Sequence, residues 1–321
     1  MPTQSFEPLL NRDMVKVIAK QVIDIASPAL QEAVNYSTNL YARCQSSKKG
    51  TKEEALPLLV LYLHVIQAID SIEVLISQSC GAPANLILRS AFEAKLSIEY
   101  ICEKKSNKRA AAWAVKHIFD QIEYFKNYIP SDPKGVQFRE TWEEDSFGKL
   151  IGLPSVSDAP AVIESLREKL NKPVYAEVYA DYLQKIKPNR KIPEWYSLHE
   201  GPKNIWELSH YLKHGTEYEI LYRSWSKQSH AHDTHHLTLP MKDGTSILGP
   251  IRNPLQLVSI STGALLIMLE SSMLMLKMYR SDEITNFREW HRKEILDKQV
   301  QLGRLANSGA EWFEKTFMQK T

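Results

Sequence analysis

The chain has 321 residues, 43% of them apolar and 24% charged, the balance of an ordinary globular protein with room for a sizeable core. A formal net charge of +2 gives no bulk electrostatic reason to bind nucleic acid or an anionic membrane. Only 12 glycines leave long stretches without a turn signal, so an all-α fold class is expected.

The first predicted helix runs from Asn11 to Cys44, broken or kinked near Ser27-Pro28. Thr51 opens a second, with Glu54 at capping-box spacing, that reaches about Cys80. Gly81-Ala82-Pro83 makes a tight connector to a third helix, about Ala84 to Lys104, and a fourth follows from Lys108 to Tyr128. Short loops between long helices predict antiparallel neighbours, hence an up-and-down helical bundle. Between Pro130 and Pro202 prolines and glycines cluster, and only two short helices are predicted, Ala159–Leu170 and Val174–Ile186. Residues 130–202 are read as an elaboration packed on a single α-helical domain spanning 1–321. Lys203 to His236 reads as two helices with His214-Gly215 between them, and Leu237 to Ile251 as a loop with a small hairpin turned at Lys242-Asp243-Gly244. Two long helices, Pro254–Arg280 and Asp282–Gln319, complete the chain.

The apolar run Leu255 to Met278 contains Glu270 and several serines, and its uninterrupted part falls short of the roughly 20 residues a bilayer span needs. It is read as a buried core helix. The N-terminal MPTQSFEPLL lacks a basic-then-apolar signal pattern, and three scattered cysteines, Cys44, Cys80 and Cys102, suit a reducing compartment. A cytoplasmic protein without membrane association is therefore expected.

The chemistry-bearing residues concentrate between Lys203 and His236. Tyr222, Ser226 and His230 lie four apart, and at 100° per residue Glu219, Arg223, Ser226 and His230 share about 60° of arc. An acid, a base, a hydroxyl and an imidazole thus line up beside an aromatic seam of Tyr218, Tyr222 and Trp225. On the third helix Arg89 and Glu93 form an i,i+4 pair inside an apolar seam. They are expected to be buried, to pair with each other, and to face the Tyr222–His230 helix. A narrow arc of the same helix, Lys95, Glu99 and Cys102, is expected to face solvent.

A metal offers a different chemistry. Glu207, His210 and His214 read E-x-x-H-x-x-x-H, which on a continuous helix puts three ligands on one side for Zn²⁺. His230, His232, Asp233, His235 or His236 would complete the set. A third reading is a helical ligand- or protein-binding module with no turnover, its aromatics forming core and Arg89, Glu93, Ser226 and His230 a packing network. No phosphate-binding glycine loop, G-x-S-x-G elbow or C-x-x-C pair is present, and no cofactor is implied.

R-S-A-F-E in a helix, then W-E-L and Y-R-S-W-S-K-Q-S-H downstream, resembles a family of bacterial all-helical proteins of unknown function. That family's pattern, R-x-x-x-E followed by Y-x-x-x-S-x-x-x-H, falls on Arg89 and Glu93, then Tyr222, Ser226 and His230. A proline common after the histidine is replaced here by Ala231-His232-Asp233. The resemblance covers mainly residues 55–105 and 200–285. A looser likeness reaches the HEPN superfamily of helical ribonucleases and nucleotide-binding proteins, in which an arginine precedes a histidine by four to six intervening residues. Arg223 and His230 have six between them, with the polar Ser224 after the arginine. That likeness implies metal-independent RNA cleavage or RNA/nucleotide binding in a toxin or phage-defence role, with Arg223 holding phosphate and His230 moving the proton. It also implies a homodimer that brings two such motifs together.

Overall fold

The computed structural model describes residues 3–7, 9–47, 51–104, 106–152, 156, 158–186, 192–228, 237–240, 245–248, 251–252 and 254–317. Among these the chain is helical apart from one antiparallel ribbon, β1 (Thr238–Pro240) against β2 (Ser246–Leu248), in which Thr238 faces Leu248 and Pro240 faces Ser246. This is the expected hairpin; its turn at 242–244 lies outside the described residues. The chain divides into two compact units. The first comprises Met1–Gly50, Leu58–Cys102 and Ser209–Thr321, and the second Thr51–Pro57 and Glu103–Leu208.

The first unit is built on α1 (Arg12–Gln45), α2 (Lys52–Ser77, from Leu58 onward) and α3 (Gly81–Glu103, up to Cys102). Contrary to expectation, α1 runs on through Pro28 as one helix. Further along the chain come α9 (Ile205–Tyr211, from Ser209), α10 (Gly215–Glu217), a widened turn at Tyr218–Tyr222, and α11 (Arg223–Gln228). The unit ends with α12 (Leu257–Tyr279), α13 (Ile284–Trp290), a second widened turn at His291–Ile295, and α14 (Leu296–Phe317). Alanines 19, 26, 29 and 33 of α1 are fully buried, which lets a helix approach closely, and α12 packs along α1. Some polar groups taken into this core are bonded, Tyr62 Oη lying 2.8 Å from Ser272 Oγ, itself 3.0 Å from Ser37 Oγ, whereas Ser79 Oγ and Ser271 Oγ are buried with no hydrogen-bond partner among the described residues. Glu73 takes hydrogen bonds from Ser27 and, at 2.9 Å, from Gln31. Gly263 admits Leu88 and Trp225 so closely that a Cβ there would sit 3.3 Å from the leucine and 3.6 Å from the indole.

By length and composition alone, Ala55–Ser77 and Leu257–Tyr279 both reach what a membrane span requires. The second reaches it with Glu270 and Lys277 inside it, so the run is not uninterrupted. Ser272 of this helix is bonded to Tyr62, Ser261 to Leu257 O, and Glu270 is ion-paired with Lys95.

The second unit is larger than the 130–202 elaboration expected from sequence, because α4 (Ser106–Lys126) belongs to it. It also holds α5 (Pro133–Glu144), α6 (Ser146–Ile151), α7 (Ala159–Leu170), α8 (Pro173–Lys185) and a 3₁₀ segment, Trp195–Glu200. The helices α5 and α6 were not predicted; clustered prolines and glycines hid them. Asp132 caps α5 by accepting from Lys134 N at 2.9 Å, and Pro133 occupies the first helical position, where its missing N–H is no loss. On the other side of the chain, α4 packs against α7 and α8, with Phe119 edge-on to Tyr182, whose hydroxyl donates to Ala112 O at 3.3 Å.

Candidate functional site

The polar residues of the first unit gather where α3 meets the segment from Ser209 to Gln228. Helix α9 ends in a Schellman turn: Lys213 N bonds His210 O at 3.0 Å, His214 N bonds Ser209 O at 2.7 Å, and Lys213 takes the left-handed conformation at φ 65°. A lysine there, not a glycine, gave no sequence signal. The turn corrects the metal reading. His210 and His214 do not lie on successive turns of one helix, because the chain reverses between them. His210 packs its ring against Gly215 and edge-on to Tyr218, whereas Glu207 bonds back to Lys203 N at 2.9 Å. The further ligands proposed for that site, His230, His232, Asp233, His235 and His236, lie outside the described residues.

His214 turns inward and meets α3. Its Nε2 lies 2.8 Å from Glu99 and its Nδ1 2.8 Å from Glu217. Lys95 Nζ sits beside the ring, 3.0 Å from Nε2 and 3.2 Å from Nδ1, and is held 2.6 Å from Glu270 of α12, with Glu217 at 3.6 Å and Glu99 at 3.7 Å. The expected solvent arc is thus overturned: the Lys95 side chain is 1% exposed. Burial alone would depress the imidazole's basicity, but hydrogen bonds to Glu217 and Glu99 outweigh it and raise the pKa to about 9. His214 is therefore a cation near neutrality, donating both N–H groups to carboxylates. The His214 hydrogen bond holds the Glu217 pKa below its ordinary value, against the opposing effect of burial. Two cations and three carboxylates leave this nest one negative charge in excess. One ligand atom each from His214, Glu217 and Glu270 lies within 4.8 Å of the others, a spacing a divalent ion uses, but the Lys95 ammonium already supplies a cation there. The signal missed in the sequence was Glu270, a lone acid in the most apolar run of the chain and the carboxylate nearest to Lys95.

One turn back along α3, Arg89, Glu93 and Tyr222 close a triangle. Arg89 Nε donates to Glu93 at 3.2 Å and to Tyr222 Oη at 3.1 Å, and Tyr222 Oη donates to Glu93 at 2.6 Å. The Arg89 guanidinium also lies over the Tyr222 ring, 5.0 Å from its centre. So Arg89 and Glu93 do meet the Tyr222 segment as expected, but they are not buried: their side chains are 31% and 42% exposed. Burial, followed by the hydrogen bond to Glu93, pushes the Tyr222 hydroxyl up to about 12.

The widened turn sets the rest. Arg223 N bonds Tyr218 O five residues back, so Tyr218–Tyr222 carries one residue more than an α-helical turn, a local feature frequent at functional sites. Tyr218 and Tyr222 stack at 4.8 Å, and Phe92 lies 5.8 Å from Tyr222 and 6.1 Å, edge-on, from Trp225. Of the predicted polar stripe, Ser226 donates its hydroxyl to Tyr222 O at 2.8 Å, while Arg223, its side chain 64% exposed, reaches out to Glu219 at 2.7 Å. His230 lies outside the described residues.

Among known families, the Family of unknown function (DUF5677) matches residues 55–243, more than half of the chain and all of the Arg89, Glu93, Tyr222, Ser226 and His230 positions. The match runs unbroken through the second unit and stops before α12, whereas the resemblance read from sequence covered 55–105 and 200–285. No curated protein and no solved structure matches. The likeness to helical ribonucleases therefore rests on Arg223 and His230 alone. By the extent of this match, the chain belongs to the Family of unknown function (DUF5677).

Proposed function

We propose that the chain binds RNA, or a nucleotide, through Arg223 and cleaves RNA without a metal, in a toxin or phage-defence role. The observation that carries this reading is the exposure of Arg223 directly after a widened turn whose last residue, Tyr222, is bonded to Arg89 and Glu93. A surface ion pair such as Arg223–Glu219 is worth at most about 1 kcal/mol, so a phosphate can take its place and be held in a bidentate fork. His230, seven residues on, is the proton carrier at the ribose 2′-hydroxyl. Dimerisation brings a second motif alongside the first.

A second reading has its own support: the hydroxyls of Tyr222 and Ser226 are both engaged internally, as in a packing network. On that reading the chain is a ligand- or protein-binding module and turns nothing over. Fluorescence anisotropy of labelled single-stranded RNA, titrated across salt, distinguishes the two. Arg223→Ala should weaken binding and flatten the salt slope by about one. Equal affinity of the folded variant and the parent, or none in either, removes RNA from the account.

A further inference from the structure

The second unit contains a cavity of about 480 Å³, within the range of small-molecule sites. Helix α4 supplies its most distinctive wall. Trp113 and His117, one turn apart, both line it and stack on each other, with centroids 5.5 Å apart and planes at 14°. Leu166 of α7, Tyr175 of α8 and Pro57, all buried, extend the apolar lining. Burial raises the pKa of the Tyr175 hydroxyl.

The charged groups in the lining are three. Lys172 is paired with Glu53 at 3.1 Å, and Lys169 is exposed, its ammonium making no hydrogen bond or ion pair among the described residues. The mouth therefore carries one surplus positive charge over a largely apolar, partly aromatic interior. A planar aromatic body can extend the Trp113–His117 stack, and a single acid group gains a charged hydrogen bond to Lys169. A nucleotide matches less well. Its phosphate carries more than one charge, and its base edge needs several polar partners, whereas Gln121 is the one side-chain amide in the lining.

We infer that this cavity binds a planar aromatic monoanion, its ring against Trp113 and His117 and its acid group on Lys169. The inference is independent of the RNA reading, which concerns the first unit. The test uses the full chain and 2-naphthoate as probe, with 2-naphthamide as the neutral partner and adenosine monophosphate as competitor, followed by calorimetry. Naphthoate should bind saturably, one per chain. Lys169→Gln, a surface change, should weaken naphthoate about tenfold, the loss of one charged hydrogen bond, and leave the amide's affinity unchanged. Trp113→Leu should weaken both; should that variant fail to fold, Lys169→Gln carries the test. Absence of saturable binding, naphthoate affinity untouched by Lys169→Gln, or displacement by adenosine monophosphate at lower concentration than naphthoate itself would each overturn the proposal.

Discussion

Lys95 is the residue on which the first unit's polar interior turns. A buried ammonium is tolerated only where carboxylates surround it, and here Glu270, Glu217 and Glu99 do so with the His214 cation alongside. Lys95→Ala should destabilise the protein by about 3–5 kcal/mol, because it leaves carboxylates confined with too little positive charge; chemical denaturation measures this. A loss under 1 kcal/mol would mean that the nest relaxes freely. His214 makes the same cluster sensitive to pH. Its folded pKa of about 9 exceeds the ordinary 6.5, so its contribution is complete below about pH 6.5 and is lost as pH rises through 9. On the order of 3 kcal/mol should disappear over that window. His214→Gln should flatten this part of the profile, and a parent profile already flat between pH 6.5 and 9 would contradict the assignment. Little of this was legible in the sequence. A helical wheel sorts by polarity, so Lys95 and Glu99 fell on the solvent side; only the tertiary partner Glu270 moves them inward.

At the scale of elements, α1, α4, α7 and α8 were legible to within about two residues, because long uninterrupted periodicity and the punctuation of Pro173 leave little freedom. Two features were not. Asp132-Pro133 is a start signal for α5, masked by the prolines around it. The widened turn at Tyr218–Tyr222 has no signature in residue type; it is fixed by where Tyr222 finds Arg89 and Glu93. Tyr222→Phe removes the hydroxyl shared by both and should cost about 1 kcal/mol, the modest figure following from the partial exposure of the charged partners. A double-mutant cycle with Glu93→Gln should show coupling, and strict additivity would mean that the two do not interact in solution. Packing makes a sharper demand at Gly263. Gly263→Val drives methyl groups into Leu88 and Trp225 and should destabilise by about 1–3 kcal/mol, read as a fall in melting temperature.

Across the whole molecule, fold class and family were legible early, from low glycine content, helical period and the spacing of Arg89, Glu93, Tyr222, Ser226 and His230. The division into two units was not, because nothing in the composition of α4 separates it from α1–α3. The proposed function is catalytic and rests on Arg223 and His230. The most direct measurement is product analysis of a single-stranded RNA pool incubated with the purified chain in the presence of a chelator. The parent, and not a folded His230→Ala variant, should yield discrete fragments, with Arg223→Ala slowed by at least about tenfold, as for the loss of one phosphate-holding hydrogen bond. Intact RNA with the parent, or identical fragments with His230→Ala, would contradict the account and leave the first unit as a binding module.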